Sequence, residues 1–355
     1  MTFETTPANL SSVNSELVYV VYDANAIDVT KQNYFYNCEI WLNGAKVHNM
    51  RVAPNPESAS RGIVDVSNII RYYIKPILKT EIGLNEWNIE CTIKVREEYN
   101  GTIGAIVATS SSRIFANYYT GRIDNFSSVS AYANSMATNR PKTIILPENC
   151  TTFYLPRLST TTSNFTYSID GASAVTVTPS AANTIQHVNI ASANTSVVIS
   201  GITYNIEKQC YSNDAYVLHF LNKLGGFESF TFHKMAKFSY DITKKTYNQL
   251  PYKVSNAGVV SVKDNNIMYE QISVFGSTFK EKLRLNSDLL DDANWQWLFE
   301  LVASPLVYLQ KVGSATLFPI HITATTYEVK QVKPDGLQTL TIDVEFGGIN
   351  KTQAR

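Results

Sequence analysis

Residues 216–232 read YVLHFLNKLGGFESFTF, two aromatic-rich apolar runs on either side of Asn222-Lys223-Leu224-Gly225-Gly226. β-formers flanking a glycine pair predict an antiparallel hairpin, because glycine adopts the positive φ that a tight turn demands. Just beyond it, Phe238, Tyr240 and Ile242 alternate with polar neighbours, and 267–275 reads as a further strand. Lys280, Lys282 and Arg284 then alternate with Glu281, Leu283 and Leu285. The segment SDLLDDANWQWLFELVASP predicts one helix over 291–303. Asp291 and Asp292 put negative charge at the positive end of its dipole, and Pro305 lies just past its end. Trp295, Leu298, Leu301 and Val302 recur at spacings of three and four, a stripe that packs on a sheet. The runs 320–331 and 337–346 predict a closing hairpin around Lys333-Pro334-Asp335-Gly336, with Leu340, Ile342, Val344 and Phe346 inward. The region 209–355 is therefore expected to be an antiparallel sheet carrying one helix.

Residues 1–15 are polar and read as an arm that orders only against a neighbour. The run 16–23 (ELVYVVYD) reads as the first strand, and 34–52 as a hairpin turned by Asn43-Gly44. A short strand at 63–66 precedes a brief helix, 68–74, for which Ser67 is the expected cap. Residues 86–96 show strict alternation: Trp87, Ile89, Cys91, Ile93 and Val95 face one way and polar residues the other, a strand with one buried face. An immunoglobulin-like or related antiparallel β-sandwich over 1–130 accounts for these pieces. Residues 131–208 shift to Ser, Thr, Ala and Asn with short β-branched runs at 174–177 and 196–199 and an Asp170-Gly171 turn, which fits a small β domain. The fold class is thus mainly β, with antiparallel β-sandwich domains.

Thirty basic and thirty acidic residues cancel, so long-range charge draws the chain to neither nucleic acid nor anionic membrane. There is no run of about 18 apolar residues to span a bilayer and no basic start with an apolar core in the first residues, so residence is expected to begin in a cytoplasm. The four cysteines, Cys38, Cys91, Cys150 and Cys210, lack metal spacing and are expected as buried thiols. Of the five histidines, His219 and His233 flank the glycine turn, but two rings without a third ligand do not make a catalytic zinc site. Glu228, Asp241, Glu270 and Glu281 are the carboxylates to weigh for glycoside hydrolysis, yet each falls at an outward strand position or in a turn. Nucleophile elbow, phosphate loop and dinucleotide fingerprint are all missing. No catalytic, metal or cofactor site is expected, nor a small-molecule substrate.

Three motifs resemble structural proteins of tailed phages infecting Bacteroidetes, the crAss-like group included. One is CYSNDAYVLHFLNKLGGFESFTF, entered through Cys210. The second is LRLNSDLLDDANWQWLFELVASPLVYL, 283–309, and the third, weaker, is RGIVDVSNIIRYYI near the N-terminus. The likeness covers the C-terminal third well, the N-terminal third loosely, and 131–208 not at all. It implies a virion protein of the tail or of the rings between portal and tail, working as a homo-oligomer with other tail or neck proteins as neighbours. Gly225, Gly226, Phe227, Phe230, Trp295 and Trp297 are then the candidates for structural or interface roles. Lys280, Lys282 and Arg284 are candidates for facing DNA that passes through a channel. The rival reading is a carbohydrate-binding sandwich displaying Trp41, Tyr118 and Tyr119, and a less favoured one a tail-borne glycan hydrolase.

Overall fold

The alternating run at Asn88–Tyr99 is the spine of a six-stranded sheet in the computed structural model of this chain, which describes residues 1–58, 60–119, 134–211, 214–265, 267–323, 338–347 and 350–351. Its neighbours are Phe35–Leu42 on one side and Arg113–Ala116 on the other, with Ala45–Val52 and Ser11–Ser12 outermost and Thr102–Thr109 also on the spine. Asn43 and Gly44, at φ 49° and 79°, make the mirror-image turn between Phe35–Leu42 and Ala45–Val52. A second, three-stranded sheet of Thr2–Thr5, Val18–Tyr22 and Arg61–Asp65 covers it. Leu17, Tyr19, Val21, Val64, Tyr36, Cys38, Ile40 and Ile93 fill the space between them. The N-terminal arm expected to order only against a neighbour is ordered within its own chain: Thr2–Thr5 pairs antiparallel with Val18–Tyr22, and Ser11–Ser12 runs parallel to Phe115–Ala116.

The short helix Ser67–Tyr73 starts one residue earlier than expected, and its cap is not Ser67. The Asp65 carboxylate accepts the Ser67 amide at 2.9 Å and the Leu17 amide at 3.3 Å, so it ties the helix start to the first long strand. Asp65→Ala is expected to cost about 1 kcal/mol, the usual loss of an end-capping carboxylate, seen as earlier unfolding in urea.

The Ser/Thr-rich middle forms two packed sheets. Thr143–Pro147, Ile202–Gln209, Ser196–Ile199, Phe165–Ile169 and Val175–Val177 make one; Phe153–Ser159, Thr184–Ile190 and the distant Glu81–Ile82 make the other. That last strand, donated by the N-terminal third, was not signalled by its own two residues.

The C-terminal sheet is antiparallel throughout, in the order Phe227–Phe232, Tyr216–Leu221, Val307–Lys311, Leu317–Ile322, Gln338–Phe346, Ile272–Leu290, Lys237–Asn248. The helix Asp292–Val302 lies on it with Asp291 as cap, its carboxylate accepting the Asn294 amide at 2.8 Å. Leu298 and Leu301 are buried with Leu218, Phe220, Leu283, Ile342 and Val344, and Trp295 and Val302 lie half-buried at the margin. Two expectations change. The strand read at 267–275 splits into Ile267–Met268 and the start of a 19-residue strand. The run 320–331 is strand to Ile322, while the rest of it and the turn at 333–336 lie outside the described residues.

Candidate functional site

The hairpin turns differently from a simple Gly-Gly turn. The Gly225 amide donates to the Asn222 carbonyl at 3.0 Å, and the Asn222 amide to the Gly226 carbonyl at 2.8 Å. That pattern is a three-residue loop in which Lys223 and Leu224 turn the chain and Gly225, at φ 83°, is the left-handed bulge residue. Gly226 has no positive φ; it is small because Pro156 sits where its side chain would be. The Asn222 side-chain oxygen accepts both the Leu224 and Gly226 amides at 3.0 Å and locks the loop.

This tip is driven into the N-terminal domain. The Trp87 indole donates to the Leu224 carbonyl at 3.0 Å, and the Tyr119 amide donates to the Lys223 carbonyl at 2.6 Å. Leu221, Leu224 and Phe227 share one core with Leu10, Trp87, Ala116 and Tyr118 of the first domain and Leu158 and Ile185 of the second. Three domains therefore meet on one loop.

Both faces of the hairpin are covered. Tyr216, Leu218, Phe220 and Phe232 point to the helix side, and Val217 belongs to the core of the middle domain. On the middle-domain side the polar positions are paired in series. The Tyr154 amide donates to Ser229 Oγ at 2.9 Å, and Ser229 Oγ lies 2.7 Å from His219 Nδ1. His219 Nε2 lies 2.8 Å from Gln310 Oε1, and the Gln310 amide donates onward to the Ser314 carbonyl. The Phe227 amide donates to His187 Nε2 at 2.9 Å, so His187 carries its proton on Nδ1, which donates to the Lys79 carbonyl at 2.7 Å. Burial pushes both imidazoles down to about 4, so they stay neutral.

On the helix side sits Glu228, with no exposed surface. Its carboxylate accepts the Trp297 indole N–H at 2.8 Å and a hydrogen bond from the Asn222 side-chain amide, which also donates to the Ala137 carbonyl. Arg140, also buried, stacks its guanidinium 4.7 Å from the ring centroids of both Trp297 and Phe153 and donates to the Ser229 carbonyl at 3.3 Å. Burial pushes the Glu228 carboxyl up to about 7; Arg140 opposes that rise and Glu300 adds to it. Burial lowers Arg140 to about 10, which still leaves it charged. The outward reading of Glu228 is thus corrected. Alternation places it correctly on the face opposite Phe227, but a helix covers that face.

Of the remaining candidates, Phe230 stacks edge-on against Phe232 and Trp297 at 5.0 and 6.0 Å, while Phe227 packs on His187 and Tyr308. His219 and His233 do not meet, since His233 faces Asp288 at 3.3 Å. Cys38, Cys91 and Cys150 are buried, but Cys210 is exposed and contacts Glu148. The saccharide platform of the rival reading is not assembled. Tyr118 is buried with its hydroxyl on the Leu10 carbonyl, and Lys94 covers the Trp41 ring at 3.6 Å. Glu228 lies in the joint, while Asp241 and Glu270 belong to a separate projecting ribbon. Ser229 and His219 have the contact of a nucleophile and its base, but both are sealed from solvent and Ser229 Oγ already receives an amide. Among the described residues no three His, Cys, Asp or Glu side chains group to hold a metal. A cavity of about 960 Å³ beside the joint is lined by Asn117, Leu221, Gln296, Lys223 and Glu300, the last two paired at 3.2 Å.

The ribbon is the other salient feature. Lys237–Asn248 and the first half of Ile272–Leu290 run out from the sheet as a two-stranded arm, and all 12 residues of the first strand are exposed. One face carries Phe238, Tyr240 and Ile242, exposed at 56, 57 and 62%. On the other face the three basic candidates are neutralised. Lys280 pairs with Glu345 at 3.3 Å, Lys282 with Asp241 at 2.5 Å, and Arg284 grips Asp343 at 2.7 and 2.8 Å. Three cations meet three carboxylates, so these three side chains leave no positive stripe to follow a phosphate backbone.

No protein-family model and no curated protein matches the chain. Drosophila OTK, extracellular domains 3-5, is a similar solved structure, at 10% identity and a TM-score of 0.20 over 79% of this chain and 91% of that one. A likeness that low carries no argument.

Proposed function

We propose that this chain is a non-enzymatic building block of a homo-oligomer, a phage virion protein of the tail or of the connector between portal and tail. The arm carries this reading. Of the 31 large apolar residues exposed among the described residues, 15 lie between Met235 and Phe275, on the arm's two strands, the segment that joins them and its entry. Monomeric proteins rarely leave so much apolar surface on one projecting element, and such patches mark interaction sites. Behind the arm, the three-way joint supplies the rigidity that an architectural subunit needs. Zero net charge leaves no long-range repulsion between copies. The C-terminal sequence motifs supply the phage context, with other tail or neck proteins as further partners. The paired state of Lys280, Lys282 and Arg284 removes the electrostatic motive for DNA contact there, so DNA enters this reading only as passing content.

The test is the oligomeric state. Purified protein is expected to form discrete multimers by mass photometry, burying more than about 1,000 Å² per contact. The triple change Phe238→Ser, Tyr240→Ser, Ile242→Ser is expected to leave a monomer with an unchanged melting temperature, since these side chains touch little of their own core. Wild-type protein that stays monomeric at micromolar concentration would overturn the reading.

A further inference from the structure

We infer that the outer edge of Lys237–Asn248 is a self-recognition edge, which pairs antiparallel with the same strand of a second copy, centred on Thr243. The inference rests on the homo-oligomer reading and names its contact.

Among the described residues nothing pairs with the outer side of this strand, which ends the C-terminal sheet. A 12-residue edge with unpaired amides and carbonyls is a template for another strand, which folded proteins ordinarily blunt. Here Lys237, Lys244 and Lys245 guard it, and they exclude any incoming strand that does not answer their charge. A second copy answers Lys245. Two copies joined edge to edge across a twofold axis normal to the sheet keep their faces on the same sides, so opposed residues come from matching faces. With Thr243 on the axis, Asp241 of each copy lies opposite Lys245 of the other, on the face where Asp241 already meets Lys282. Ser239 then faces Tyr247, and Tyr240 faces Thr246. Ile242 lies opposite Lys244, whose aliphatic stem covers it.

The nearest face-preserving alternative puts Ile242 on the axis. It sets Asp241 against Thr243 and Lys245 against Ser239, leaving the lysine unanswered. A rival strand position is the stretch 272–277, which lies beyond the residues of the long strand that pair with Gln338–Phe346 and Asn350–Lys351. It is six residues long and uncharged, so it offers a shorter ladder and no carboxylate for Lys245. Length and charge both favour self-pairing. Its consequence is an assembly built from pairs, with an even number of copies.

Single cysteines placed along the edge test this in the full chain, with Cys210→Ser removing the exposed native thiol. Under mild oxidation, Thr243→Cys is expected to give a disulfide-linked dimer on a non-reducing gel, in excess over Ile242→Cys and Lys244→Cys. Opposed residues bring their Cβ atoms within bonding reach, whereas diagonal ones do not. Lys245→Glu sets two acids across from each other twice and is expected to weaken the pairing about tenfold in Kd by analytical ultracentrifugation. Multimers by mass photometry without cross-linking at residue 243, or with cross-linking strongest at 242, overturn the edge pairing and leave the oligomer reading standing. Monomers throughout overturn both.

Discussion

Gly225→Ala is expected to break the joint between the three domains and to be the most damaging change of its kind among the described glycines. A Cβ at this position would lie 1.9 Å from the Asn117 carbonyl oxygen and 2.6 Å from Cδ1 and Nε1 of Trp87. Neither neighbour yields cheaply. One is backbone, and the other is a buried indole held by its hydrogen bond to the Leu224 carbonyl. The φ of 83° adds the strain that any L side chain meets in the left-handed region. Relief requires the tip to withdraw, which costs the Trp87–Leu224 and Tyr119–Lys223 hydrogen bonds and opens the shared core. The combined loss is about 4 kcal/mol or more, in the range reserved for steric failure in a core. Gly226→Ala meets the Pro156 ring at 2.5 Å without a φ penalty and is expected to lose about 2 kcal/mol. Gly276→Ala, with nothing within 4 Å, is the neutral control. Urea midpoints of the three proteins check the order; a Gly225→Ala midpoint equal to that of Gly276→Ala would contradict it.

These glycines show what the sequence conveyed and what it withheld. The hairpin itself was legible, since two apolar runs around a loop rich in glycine fold locally. Gly225 and Gly226 were singled out together, yet they are small for different reasons, the first for its φ and the Asn117 carbonyl and Trp87 indole against it, the second for a proline 70 residues away. Nothing in the local string distinguishes the two. The helix was legible to within a residue because Asp291, the apolar stripe and Pro305 act within a few turns of each other. Trp297 lay off that stripe and stood only as a structural or interface candidate; its indole donates to the buried carboxylate of Glu228. Alternation assigns a residue to a face and cannot say whether that face is later covered. The same limit explains Glu228, read as solvated, and the N-terminal strands, read as an arm that orders only against a neighbour. It also hid the neutralised state of Lys280, Lys282 and Arg284. Their partners Asp343 and Glu345 stand out in the sequence as outward residues of another strand, and only the antiparallel register brings them opposite.

Glu228 makes the joint sensitive to pH, in a direction opposite to that of the buried histidines beside it. Its folded pKa, about 7, lies above the ordinary 4.5, so the native state binds a proton that the unfolded chain has released. The stability this provides is complete below pH 4.5 and is lost as pH rises through 7, a change of about 3 kcal/mol at 1.36 kcal/mol per pKa unit. His187 and His219, held neutral at about 4, work the other way. Below 6.5 the unfolded chain takes up protons that they refuse, so their contribution is lost as pH falls toward 4. Two histidines outweigh one carboxyl between pH 6.5 and 4.5, so the summed contribution of these three groups rises with pH across that range. Glu228→Gln isolates the carboxyl. The amide has one acceptor where Trp297 and Asn222 present two donors, so the variant carries a constant penalty at every pH. What changes with pH is the gap: wild type is expected to exceed Glu228→Gln by about 2.5 kcal/mol more at pH 5 than at pH 8. Arg140→Met removes the charge that holds the carboxyl down, so in that background the same gap closes at higher pH. Urea midpoints of the four combinations between pH 5 and 8.5 measure both effects. A gap that stays constant with pH would show that Glu228 does not titrate inside the joint, and that the Arg140 guanidinium holds it ionised throughout.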